Sequence, residues 1–204
     1  DLPQALEDKG GWANREIVKS FEEYSQACAK AFGDRVNNWI TLNEPWCVAW
    51  LGYSIGVHAP GKKDHSLAIA ASHHTALAHS MAARSIKSIR PNAQVGLTVN
   101  MTNHHLENPE NSELVTLNAL LDSNINRWWI EAMLHGKYPT NILEYYGKAL
   151  TDVLLPGDQE LLKSTPDYLG INYYSDSFLR NPRPEELVAN GPGIFPFPQK
   201  GDNS

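Results

Sequence analysis

No stretch of this sequence approaches the roughly 18 consecutive apolar residues of a membrane span, so a bilayer is not expected as a partner. Basic clusters are just as scarce. The longest is Lys62-Lys63, and the formal charge is −6, which argues against nucleic acid and anionic membrane surfaces as partners. There are two cysteines, Cys28 and Cys47, without the CxxC spacing of a zinc or redox centre. Both are expected to be reduced packing residues, because a free thiol usually behaves as a small buried hydrophobe; the location expected for the protein is the cytoplasm. His73, His74 and His79 share one predicted helix but lack the paired-histidine spacing around a glutamate that zinc proteases use, so they read as packing and no metal or cofactor is implied. The chain opens at Asp1-Leu2-Pro3 without a methionine or a signal-like stretch, and it is expected to be an internal portion of a longer polypeptide. The triplet Asn100-Met101-Thr102 matches a glycosylation acceptor, but at a predicted strand end it reads as chance.

What is present is ordinary globular material, with 204 residues of which 42% are hydrophobic, enough to bury a core. Helical and strand patterns alternate along it. From Asn14, a candidate N-cap, apolar residues recur at Val18, Phe21, Tyr24, Cys28, Ala31 and Phe32 until Gly33. A strand over residues 38–43 follows, then a loop over 52–63 and a helix over 66–89 with Leu67, Ala70, His74, Leu77 and Met81 near one face. Val95, Leu97 and Val99 alternate with Gly96 and Thr98 in a second strand, 94–100. His104 and His105 read as part of the exposed loop after it. A third helix is predicted over 112–134, carrying Trp128 and Trp129 as outer-layer packing. Short helical stretches near 141–146 and 158–163 lead to a third strand, 166–174. Helix, strand, helix, strand, helix, strand is the order of a parallel sheet covered by helices. From Ser175 on, Pro182, Pro184, Pro192, Pro196 and Pro198 read as a loop-rich tail.

The segment Trp39-Ile40-Thr41-Leu42-Asn43-Glu44-Pro45-Trp46 carries the most chemistry. A β-branched, apolar run stops at an amide, a carboxylic acid and a proline, and proline cannot donate to a sheet ladder. Asn43 and Glu44 are therefore expected at the C-terminal rim of the strand, where parallel α/β barrels carry their chemistry. The other two strands also end in polar and aromatic groups, Asn100 and Asn103 after one, Asn172, Tyr173 and Tyr174 in the other. Amides that hydrogen-bond vicinal hydroxyls and flat rings such as Trp46 make a sugar-binding inventory. Any single asparagine at a strand end more often only completes a turn. Three strands ending alike weigh against that.

Asp1-Leu2-Pro3-Gln4-Ala5-Leu6, Gly10-Gly11-Trp12, Thr41-Leu42-Asn43-Glu44-Pro45-Trp46, Val57-His58-Ala59-Pro60-Gly61 and Gly170-Ile171-Asn172-Tyr173-Tyr174-Ser175 stand in an order and spacing that resembles family 1 glycoside hydrolases, the retaining β-glucosidase family. The resemblance implies an α/β fold, a partial (β/α)8 TIM barrel from about the end of strand 3 through strand 6, in one single-domain unit spanning 1–204 with residues 176–204 as its tail. It implies Glu44 as the general acid/base, Asn43 on the sugar 2-hydroxyl, Asn172 and Tyr174 near the nucleophile, with the Tyr174 hydroxyl orienting that carboxylate, and Trp46 and His58 on the leaving-group side. The implied substrate is a small β-glucoside or oligosaccharide, without a cofactor. The family's nucleophilic glutamate lies on a later strand with no match here, and Glu185 and Glu186, in a proline-bounded loop, are poor substitutes. A parallel sheet of three strands would leave unpaired edges, so the remainder of the barrel, in the same chain or a complementary one, is expected as a partner. Two readings follow: part of a retaining β-glycosidase, or a non-catalytic carbohydrate-binding or structural half-barrel.

Overall fold

The structure, a computed structural model, describes residues 2–181. Three parallel strands, β1 (Asn38–Asn43), β2 (Gln94–Met101) and β4 (Tyr168–Tyr173), form a sheet in the order β1-β2-β4. The expected strands are all there, with ends shifted by two residues at most. Val95, Leu97 and Val99 of β2 face the helices and are almost wholly buried. Gly96, Thr98 and Asn100 therefore face the other way, paired in register with Tyr168, Gly170 and Asn172. Glycine is needed here for close approach, since a β-carbon on Gly170 would fall 2.3 Å from the Thr98 hydroxyl and one on Gly96 would meet the Tyr168 ring at 2.7 Å.

Before the sheet come α1 (Gln4–Glu7) and α2 (Ile17–Phe32). Asn14 does not cap α2, which starts at Ile17 behind Glu16; the Asn14 side chain instead accepts from the Glu16 N–H at 3.0 Å, in a turn just upstream. The buried stripe of α2 runs through Ile17, Ser25 and Ala29, leaving Tyr24 63% and Phe32 49% exposed. The long helix α3 (His65–Ile89) is capped by the Asp64 carboxylate, which accepts from the Ser66 and Leu67 N–H groups. It is not amphipathic as expected. Residues 68–80 are buried on every side, because α2, the Cys47–Ser54 segment, the sheet, α5 (Trp128–His135) and α8 (Asp158–Leu162) enclose it, and its many alanines let them approach.

The segment Cys47–Ser54 is a π-helix, so the expected loop begins only after Ser54. The third predicted helix is three pieces: α4 (Ser112–Leu121), a π-helical segment Asp122–Arg127, and α5. Trp128 and Trp129 lie in the core, not an outer layer, at 0% and 2% exposure. Two short helices, α6 (Thr140–Tyr146) and α7 (Lys148–Thr151), complete the connection to α8. His104 and His105 are not loop residues: β3 (His104–Leu106) pairs in parallel with β5 (Ser177–Leu179), within what read as tail. Leu179 is buried in the core, and that contact orders a segment with no strand signal of its own. Pro182, Pro184, Glu185, Glu186, Pro192, Pro196 and Pro198 lie outside the described residues.

Candidate active site

The site is built where β1 meets β2. Ile40 pairs with Gly96 but Asn43 with Thr98, so β1 carries one residue more than its partner and bulges. Because side chains alternate along a strand, one extra residue reverses which way the following ones point. The Glu44 N–H still donates to the Thr98 carbonyl at 2.9 Å, although Glu44 has left the strand with φ +50°. Pro45 is buried and opens the helical turn that continues into the π-helix, a position where its missing N–H costs nothing.

The Glu44 carboxylate is half-buried and its two oxygens have different surroundings. Oε1 accepts from the Asn172 amide at 2.8 Å and from the Tyr174 hydroxyl at 3.0 Å, so the two residues expected beside the nucleophile, Tyr174 as its orienting hydroxyl, here contact Glu44 itself. The same Asn172 amide nitrogen donates to Asn43 Oδ1 at 3.0 Å, tying the rims of β1 and β4 together. Oε2 faces only the Cys47 thiol, at 3.5 Å. Burial first, then the charge of Glu44, pushes that thiol up to about 12. The hydrogen bond to Glu44 likewise raises the Tyr174 phenol above its ordinary value. With two donors committed to Oε1, a proton on this carboxyl belongs on Oε2.

A cavity of about 310 Å³ opens beside it, lined by Asn43, Glu44, Cys47, His58, Trp12 and Tyr53 among others. Asn43, Glu44 and the exposed His58 thus share one cavity, while Asn172 and Tyr174 reach the carboxylate from outside its wall. Trp46 is apart from them. It is half-buried, absent from the cavity lining, and its indole Nε1 donates to Asn124 Oδ1 at 2.8 Å. Asn100 sits beside Asn172 in register, with a buried Oδ1 that has no hydrogen-bond partner. Asn103 is exposed and bonds His105 at 3.1 Å.

Nothing local in the chain marks Glu7 and Tyr53 as the opposite wall, beside Trp12. Tyr53 donates to Glu7 Oε2 at 2.7 Å and accepts from the Trp12 N–H at 2.9 Å. The nearest signal in the chain was the Gly10-Gly11 pair before Trp12: Gly11 sits at φ +53°, and an added β-carbon would fall 2.0 Å from Glu7 Oε2. Among the described residues no group of three or more His, Cys, Asp or Glu side chains is arranged to hold a metal ion.

Residues 1–192 match the family described as Glycosyl hydrolase family 1. Beta-glucosidase A of Acetivibrio thermocellus is 38% identical over 181 residues, covering 88% of this chain and 40% of the relative. Beta-glucosidase A of Thermotoga maritima is 36% identical over 180 residues, with 88% and 40% covered. Among solved structures, the psychrophilic beta-glucosidase BglU from Micrococcus antarcticus superposes with a TM-score of 0.83 at 40% identity, over 86% of this chain and 38% of that one. The family 1 enzyme from Thermotoga maritima in complex with isofagomine lactam gives 0.80 at 37% identity, over 87% and 40%. The chain therefore spans about 40% of the length of the curated relatives it matches.

Proposed function

The chain belongs to glycosyl hydrolase family 1, its parallel sheet is part of a TIM barrel, and on that footing we propose that the protein hydrolyses terminal β-glucosides with retention, Glu44 serving as general acid/base. The observation that carries this reading is the dissymmetry of the Glu44 carboxylate. Oε1 is occupied by Asn172 and Tyr174, which leaves Oε2, beside Cys47 of the cavity lining, to carry the acid proton that a glycosidic oxygen takes as the bond to the sugar breaks. A second carboxylate roughly 5–5.5 Å away captures the anomeric carbon in such a mechanism. Glu44, now ionised, then removes a proton from water attacking that ester, which regenerates both groups. In this reading Asn43 hydrogen-bonds the sugar, His58 meets the leaving group, and the second carboxylate and the remaining strands come from the rest of the barrel. Residues 1–204 act as one unit of it. The free thiols of Cys28 and Cys47 support a cytoplasmic location.

Replacing Glu44→Gln is expected to lower turnover of an aryl β-glucoside by roughly 10²-fold or more, and azide, a nucleophile needing no base, restores release of the trapped sugar. Undiminished turnover in that variant would favour the second reading, a non-catalytic half-barrel. The open sheet face, with Ile40 and Ile171 both more than half exposed, is what speaks for that alternative.

A further inference from the structure

Glu44, at φ +50°, is the one non-glycine residue with positive φ among the described residues. In that conformation the β-carbon crowds its own backbone, so it persists only where the surroundings over-determine it. One restraint is the N–H of Glu44, which donates to the Thr98 carbonyl at 2.9 Å. The other lies two residues on. The Trp46 indole N–H is held at 2.8 Å by Asn124 Oδ1, and Asn124 is wholly buried. Its amide nitrogen in turn donates to the Tyr146 hydroxyl at 3.1 Å. The Tyr146 ring stacks on Trp50, 5.9 Å between centroids, and Trp50 lies in the π-helix that follows Trp46. The chain of contacts thus closes on itself. Both ends of the Asn124 amide are used, so carbonyl and NH2 cannot exchange places without losing two hydrogen bonds. Asn124 itself belongs to the second π-helical segment, Asp122–Arg127. Such widened turns recur at functional sites.

We propose that Asn124 is a positioning residue for Glu44: by pinning Trp46 from the core it fixes the Pro45-Trp46 step and holds the acid/base carboxylate in its left-handed backbone conformation. This rests on the reading of Glu44 as general acid. Once Trp46 is released, Glu44 relaxes towards an ordinary φ and its Oε2 turns from the leaving oxygen, while attack at the anomeric carbon is untouched. On this view Trp46 is a strut before it is a surface for the leaving group.

The test compares kcat/KM for two glucosides in the active protein. A dinitrophenyl β-glucoside departs without a proton, whereas an alkyl β-glucoside needs one. In Asn124→Leu the alkyl substrate should lose about 10-fold or more, as small misplacements of a reacting group do, with the dinitrophenyl substrate within about twofold of wild type. Asn124→Asp keeps an acceptor for the indole N–H and should recover most of the loss. Trp46→Phe should reproduce the loss, and adding Asn124→Leu to it should cost nothing further. A parallel fall on both substrates, or no fall on either, overturns the inference. Glu44→Gln is measured alongside. If it separates the two substrates and Asn124→Leu does not, the positioning role alone fails; if it does not separate them, the acid/base reading fails first.

Discussion

At the scale of single residues, the site is organised around unequal oxygens. Asn172 and Tyr174 converge on Oε1 of Glu44, and Oε2 is left with the weak thiol donor of Cys47. A thiol pushed to about 12 is about one part in 10⁴ thiolate at pH 8, and the thiolate is the form that reacts. Cys47 should therefore resist iodoacetamide. Its burial is the larger cause and the Glu44 charge the second, so Glu44→Gln should speed its alkylation, followed by peptide-resolved mass spectrometry. An unchanged rate would mean the thiol does not sense the carboxylate. Asn43, whose side chain shares the Asn172 amide, shows why the two rim strands act together.

At the scale of elements, α3 is the post on which the site's supports stand. Three of its four histidines, His73, His74 and His79, are buried and each has a fixed partner. An ionised Asp158 can only accept, so His73 donates from Nε2 at 2.9 Å and its Nδ1 accepts a hydrogen bond from the Tyr138 hydroxyl at 2.7 Å. Burial alone would raise Asp158, but hydrogen bonds from Arg15, the Leu155 N–H and His73 hold it at about 2. That support is complete above its ordinary value of 3.8 and lost as pH falls through about 2. The histidines act earlier. Burial lowers His79 to about 4 from 6.5, and lowers His73 likewise, so on acidification the unfolded chain takes up the proton first. Stability then falls from near pH 6.5 down to about 4, by about 2 kcal/mol per such histidine between pH 7 and 5. Urea denaturation at the two pH values should show this. His79→Gln, which can still bond Thr41 and Ser164, should remove its share, and an unchanged pH dependence in that variant would contradict the account.

At the scale of the whole molecule, the sheet is buried at its centre and open at its sides. Most of β2 is buried, whereas Ile40 on β1 and Ile171 on β4 are 54% and 57% exposed. Unpaired parallel edges and an open apolar face favour association with another strand or chain. Residues 1–204 expressed by themselves are expected to self-associate and to bind a hydrophobic dye. A monodisperse monomer by light scattering, silent to the dye, would count against the barrel reading of this sheet.

The sequence by itself determined the three sheet strands, their order and the place of Glu44, because period-two alternation and a proline after a carboxylate are local properties of the chain. It put the apolar residues of α3 on one face, whereas residues 68–80 are buried all round, serine and threonine included, because elements distant in the chain pack on every side of the helix. It missed β3 and β5, which exist only through pairing with each other. Asn172 and Tyr174 lie 128 and 130 positions from Glu44, and Asn124 lies 78 from Trp46. Only the tertiary structure decided that the first two share one oxygen and that the indole turns to the core, because hydrogen bonds between distant residues are fixed by where the strands and helices pack, not by any repeat along the chain.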